Sequence, residues 1–316
     1  MPVSVQSWCA GPTGAGSLGA ERANANPEHM TTIQNILFPV DFSPSCAAMA
    51  PLVKRSASIT CAKVTLLHVL EPTASGFELL VRPMREIEED RESVAREKLN
   101  SFLASEFPTD DSPRLLVAGD ASTGIVEVAR ERGFDLIVMP THAGVFRRTL
   151  LGSTTAKVLN DADCPVLTTQ HAETISPRPL EHREWVCAVG LQPDSERGLR
   201  YARQAAETFH VNLSLVHAIP AAEPGLPVQL DLEERVQSVE KQAARHRIEE
   251  MQRRVGSHAR VGIAVGPIKD GLTEAARRLR ADVLVIGRSP QPGAKGRLRD
   301  LTYAVVRDAP CPVLSV

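Results

Sequence analysis

The stretch DADCPVL at residues 161–167 returns as DAPCPVL at 308–314, six of seven positions identical and 147 residues further on. Two neighbouring matches keep that spacing: DLIVMP at 135–140 against DVLVIG at 282–287, and VAGD at 117–120 against VGP at 265–267. Upstream, TLLHVL at 65–70 matches SLVHAI at 214–219 with a spacing of 149, so one short length change separates the regions. Matches in the same order along the chain mean that one unit is written twice.

Within each copy, short apolar runs alternate with amphipathic segments. In copy one the runs are Ile36–Val40, Val64–Leu70, Leu115–Val117, Leu136–Met139 and Val166–Thr168. Helical patterns fill 45–60, 78–106, Gly124–Arg132 and Ser153–Asn160, the second with Leu79, Ile87, Val94, Leu99 and Phe102 as its apolar stripe. Copy two repeats the order at 186–189, 196–209, 213–218, 229–254, 261–265, 270–280, 283–286, 300–307 and 313–316. Nearly all-apolar strands separated by helices indicate parallel sheets covered on both faces. The predicted class is α/β: two tandem Rossmann-like domains, each with five parallel strands, binding ligands beyond the strands' carboxyl ends. Domain 1 is expected over 30–170, a linker rich in proline and charge over 171–184, and domain 2 over 185–316. Residues 1–29 read as a disordered tail, or as residues ahead of a natural start at Met30; they lack a signal-peptide pattern.

Lys plus Arg is 36 against Asp plus Glu 38, a net of −2 over 316 residues. That balance gives no support for nucleic-acid or anionic-membrane binding, and no apolar run reaches the length of a membrane helix. The six cysteines form no C-x-x-C pair and suit a reducing compartment, so a cytoplasmic location is expected. Cys164 and Cys311, matched in the copies, read as small core residues.

Chemistry concentrates where the run 136–139 meets PTHAGVFRRTLLGSTTAKVL. A glycine-containing loop entering a helix can turn several N–H groups on one anion, with Gly152 allowing close approach and the Ser153 and Thr154 hydroxyls donating. The same Gly-Ser pair also serves as an ordinary N-cap. Asp41, in PVDFS at 39–43, falls on the same sheet edge. It can accept from a ribose hydroxyl or adenine amine, or can cap the next helix, as Ser43 can.

The series PVDFS, LLHVLEP, DLIVMPTH, LLGSTTAKVL and DCPVL resembles the universal stress protein family in its tandem form, from Met30 to Val316. The resemblance implies an adenine nucleotide alpha hydrolase-like fold and, in ATP-binding members, G-x2-G-x9-G-[ST] after the fourth strand. Carried over, Asp41 serves the adenosine end, with Val40, His68 and Val69 lining the adenine pocket. Gly144, Gly152, Ser153 and Thr154 hold the phosphates, His142 sits in the phosphate loop, and Met139 and Pro140 count among the nucleotide-binding residues. The implied ligand is ATP (or ADP or AMP), with or without Mg²⁺. Pro140 stands at the first glycine, Ala143 at the second, and the loop is one residue short. Arg147 and Arg148 can compensate as phosphate ligands or simply be solvated. In copy two Gly190 matches Asp41, and Arg299-Asp300 match Gly152-Ser153. Gly287 keeps the first glycine, Pro290 replaces the second, and Arg288, Lys295, Arg297 and Arg299 cluster in the loop. Asp300 opposes a phosphate, so copy two is expected to be a scaffold without a working site. His68 and His217 recur in both copies, which favours packing over catalysis.

Three functions are open: a nucleotide-responsive stress protein, a nucleotide-free interaction protein of the same fold, and a slow ATPase. No P-loop lysine, H-x-G-H or carboxylate cluster marks a dedicated enzyme. Single-domain relatives pair through the last strand. The equivalents here, 165–169 and 312–316, are expected to form an internal pseudo-dimer, and a further homodimer is compatible with it.

Overall fold

The computed structural model describes residues 33–72, 84–141, 151–170, 183–221, 230–288 and 297–316. Copy one runs β1 (Asn35–Pro39), α1 (Pro44–Ala47), α2 (Ala50–Thr60), β2 (Lys63–Leu70), α3 (Met84–Ser101), β3 (Arg114–Ala118), α4 (Ala121–Glu131), β4 (Leu136–Pro140), α5 (Ser153–Asp161) and β5 (Val166–Thr169). Copy two runs β6 (Glu184–Ala188), α6 (Ser195–Thr208), β7 (Asn212–Ile219), α7 (Leu230–Val255), β8 (Arg260–Val265), α8 (Ile268–Arg278), β9 (Val283–Ile286), α9 (Arg297–Asp308) and β10 (Val313–Ser315). β6 thus begins within the stretch read as linker.

The strands form one sheet in the order β3-β2-β1-β4-β5-β10-β9-β6-β7-β8. Every neighbouring pair is parallel except β5 and β10, which run antiparallel with Leu167 opposite Leu314. These two leucines are the same residue of the repeat, so a local two-fold passes between them. Alternate strand residues feed opposite faces. Ile36, Phe38 and Leu66 join Cys187, Leu215 and Ile248 in one apolar layer, and Leu37, Leu67 and Ile137 join Val186, Val216 and Leu284 in the other. Both layers run through both copies.

The same devices set the strands in each copy. Asp135 accepts from the N–H groups of Gln34 and Asn35, both at 2.9 Å. Asp282 accepts from Arg183 and Glu184 at 2.7 and 3.0 Å. Just before each aspartate the chain makes a left-handed turn, at Gly133 (φ 64°) and at Arg280 (φ 51°).

Two details differ from the sequence reading. The helix expected over 45–60 is two helices, because Pro51 in the first turn of α2 has no N–H to continue α1. Val94 is 52% exposed, whereas Ile87, Ala95 and Leu99 are buried, so a tighter i, i+4 stripe is the one α3 turns inward. Leu79 lies outside the described residues. Cys311 is buried and Cys164 is half-buried. No helix among the described residues is long and apolar enough to cross a membrane.

Candidate functional site

The strand order reverses between β1 and β4, and open α/β sheets take ligands beyond the carboxyl ends at such a point. The register Ile36↔Leu136 and Leu37↔Ile137, continued to the strand ends, sets Val40 and Asp41 beside Pro140 and Thr141.

Asp41 is exposed, and one of its oxygens accepts from the Ser43 N–H at 2.9 Å. The helix cap is Ser43, whose Oγ accepts from the Cys46 N–H at 3.2 Å. The other Asp41 oxygen has no hydrogen-bond partner among the described residues. Between the two, Phe42 adopts a left-handed φ of 63°, uncommon for a side chain with a Cβ. Its ring lies on His68 with centroids 4.3 Å apart.

His68 Nδ1 lies 2.7 Å from the Val40 carbonyl oxygen. A carbonyl only accepts, so Nδ1 carries a proton and donates. His217 makes the same contact to the Val189 oxygen at 2.7 Å, so this bond is part of how each copy folds. A groove of about 370 Å³ opens between the Phe42–His68 pair and α3, lined also by Leu70, Arg91 and Val94. Val40, Val69 and Met139 are buried in the core layers and offer backbone, not side chain, to the sheet edge.

On the other side of the reversal, Gly152 is the N-cap of α5, and its N–H closes the loop on the Thr141 carbonyl at 2.8 Å. Pro140 has no N–H, and its carbonyl accepts from Thr155 Oγ1 at 3.0 Å. The Gly152 amide is therefore committed to the loop, and Pro140 has none to offer. What stays open is the first turn of α5, ahead of its first intrahelical bond from the Ala156 N–H to the Gly152 oxygen at 2.9 Å. Ser153 is exposed there and Thr154 half-buried. Side chains of Ser43 and Asp120 cap α1 and α4, whereas α5, like α2, α6 and α8, has no side-chain cap among the described residues. Asp120 is held well below the usual carboxylate range by the Ser122 hydroxyl and the Thr123 N–H and hydroxyl. It lies 3.6 Å from Lys157 Nζ on α5. His142, Gly144, Arg147 and Arg148 lie outside the described residues. Among the described residues, no three His, Cys, Asp or Glu side chains are grouped to hold a metal ion.

Copy two keeps the histidine contact but differs at Asp41, at the helix start and at Thr141. Gly190 replaces Asp41, and α9 begins at Arg297, so Arg299 and Asp300 lie inside the helix rather than at its cap. Arg288, read from sequence as part of a cationic loop cluster, points into the join between the copies. Its guanidinium donates to the carbonyls of Leu159 and Ala162 at 3.1 and 2.8 Å, and to that of Cys164 at 2.7 Å. Lys295 and Pro290 lie outside the described residues.

The universal stress protein family model matches residues 32–170 and again 183–316. The chain belongs to the universal stress protein family. Universal stress protein A homolog 1 of Coxiella burnetii is 29% identical over 137 residues, covering 42% of this chain and 94% of that relative. A universal stress protein of Methanocaldococcus jannaschii is 28% identical over 153 residues, covering 42% and 93%. These relatives have the length of one copy. A solved universal stress protein from Archaeoglobus fulgidus spans both, with a TM-score of 0.63 at 20% identity over 92% of this chain and 97% of that one. One from Pseudomonas aeruginosa does so with a TM-score of 0.58. At such identity the likeness is one of fold.

Sequence reading missed Thr155 and the true partners of Arg288. A threonine at the third position of a helix that starts beside a strand end was a signal for the first. An arginine directly after a strand of copy two gave no hint that it reaches into copy one.

Proposed function

We propose that this chain is a nucleotide-responsive binding protein with one adenine-nucleotide site, in copy one. The observation that carries the reading is the uncapped first turn of α5 beside the open carboxylate of Asp41, at the reversal of strand order. A helix N-terminus carries a partial positive charge and unserved N–H groups, the complement of a phosphate. Asp41 serves the adenosine end, the groove beside Phe42 and His68 takes the base, and Ser153 and Thr154 take the phosphates. His142 and Gly144 complete the phosphate loop, and Mg²⁺ accompanies ATP there. Copy two is a scaffold, since Gly190 offers no acceptor and α9 runs through the matching position. The β5–β10 pairing supports an internal pseudo-dimer of domain 1 (30–170) and domain 2 (185–316); the expected location is the cytoplasm. The nucleotide-free reading is favoured by the loss of the Gly152 N–H to Thr141 and the absence of one at Pro140.

Titration of ATP, ADP, AMP and cAMP by calorimetry, with and without Mg²⁺, separates the two. Ser153→Asp writes the Asp300 of copy two into copy one. A carboxylate at a helix start stabilises the helix but repels phosphate, so thermal stability should hold while ATP affinity falls at least about tenfold. Asp41→Ala should weaken ATP and adenosine alike. ATP binding unchanged in both variants overturns the site, and no binding by the unmodified protein favours the nucleotide-free reading.

A further inference from the structure

Two side chains of copy two hold α5. From copy two, Arg288 takes three carbonyls at and beyond the C-terminal end of α5, those of Leu159, Ala162 and Cys164. Tyr303 on α9 donates from its hydroxyl to the Ala156 carbonyl, one turn from the start of the same helix, at 3.0 Å. Ala156 and Tyr303 are matched residues of the repeat, so this bond sits on the local two-fold, yet only the tyrosine can make it. The residue matching Arg288 in copy one is Thr141, whose hydroxyl turns to the Thr169 carbonyl in its own copy at 3.3 Å. Thr141 thus serves its own copy, where Arg288 reaches across to the other.

A guanidinium at a helix C-terminus serves carbonyls that have no intrahelical donor and is favourably placed against the helix dipole. Arg288 is also half-buried, and burial pushes its pKa below the usual arginine range. A desolvated cation of this kind is kept in place by its acceptors, and three of them fix the direction of one end of α5. The other end is tied by Thr155 to the last residue of β4. Position and tilt of α5 are thus set jointly by its own strand and by copy two.

We infer that copy two is a positioning element for the nucleotide site of copy one, with Arg288 and Tyr303 as positioning residues that aim the first turn of α5 at the phosphates. This rests on the reading of that turn as the phosphate end. The position after the fourth strand that is Thr141 in copy one is, as Arg288 in copy two, the hold on the helix that follows Gly152.

Arg288→Met removes the donors while keeping the stem, and Tyr303→Phe removes only the hydroxyl. Hydrogen exchange of the nucleotide-free protein is the first readout: amides of α5 should exchange faster in Arg288→Met, and less so in Tyr303→Phe. Unchanged exchange in both variants overturns the clamp, whatever happens to nucleotide binding. Faster exchange in a protein that binds no nucleotide even when unmodified keeps the clamp as a structural hold and removes the phosphate reading. The second readout is selectivity. ATP affinity should fall by roughly five- to tenfold in Arg288→Met, the size by which residues away from a ligand alter its binding, with adenosine affinity unchanged. Equal loss of both ligands would mean general damage and overturn the positioning role. Arg277→Met, at an exposed intrahelical pair with Glu274, is the control and should move neither readout.

Discussion

The start of α5 and the start of α9 are one segment of the repeat in two states. In copy one the helix begins late, at Ser153, with no side-chain cap among the described residues. In copy two it begins at Arg297, ahead of the residue that matches Ser153. Around these two starts almost everything else is held in common: the aspartates that pin the strand entries, the left-handed turns before them, and the histidines bonded to the ends of β1 and β6. The scaffold was duplicated and kept. The helix start after the fourth strand is where the two copies part.

The first way to break that comparison is through the scaffold. Asp135→Ala and Asp282→Ala each remove an acceptor serving two backbone N–H groups at 2.7–3.0 Å. Hydrogen bonds to charged groups contribute about 1.5–3 kcal/mol, so each variant should lose about 3 kcal/mol in urea unfolding, by similar amounts. A loss confined to one copy would mean that the shared device matters in only one of them.

The fold was legible because its signal is redundant. The repeat, the apolar runs and the turn residues all argue for the same sheet, and an error such as the unbroken helix over 45–60 changes one local bond and no topology. Pro51 was visible, but its effect depends on which turn of the helix it occupies. The site was legible only in outline. Gly152, Ser153 and Asp41 could be placed on one edge from their positions at strand ends. That the Gly152 N–H would be spent on Thr141 depends on how the loop closes, which no spacing encodes. Arg288 was the hardest to read, because its partners lie more than 120 residues away, across a join fixed by the β5–β10 pairing.

A smaller effect sharpens the role of the paired histidines. His68→Leu and His217→Leu each remove a 2.7 Å bond to a strand-end carbonyl. Each should cost about 1 kcal/mol, the net of an ordinary buried hydrogen bond. Matched losses in stability, with ATP affinity unchanged in His217→Leu, would mark the contact as shared architecture. A much larger loss of ATP binding than of stability in His68→Leu would assign that histidine to the site instead.

The smallest effect lies in charge pairing that only copy two has. Asp308 accepts from Arg307 Nε at 2.8 Å and from Lys269 Nζ at 3.0 Å, and these cations hold its carboxyl down to about 2. The matched residues of copy one are Asp161, with Asn160 and Ser122 where the cations would be. A carboxylate depressed by folding gives stability that is complete above its unfolded value of about 3.9 and lost as pH falls through the folded one. Ion pairs this open to solvent contribute about 0.2–1 kcal/mol. Asp308→Asn should therefore lower the melting temperature by roughly 1–3 °C at pH 7, and the gap to the unmodified protein should close between about pH 4 and pH 2. Asp161→Asn is the matched comparison, since Asn160 and Ser122 stand where copy two has its cations. If both variants gave the same pH profile, the asymmetry of α8 and α9 would be one of sequence without energetic consequence, unlike that of the helix starts.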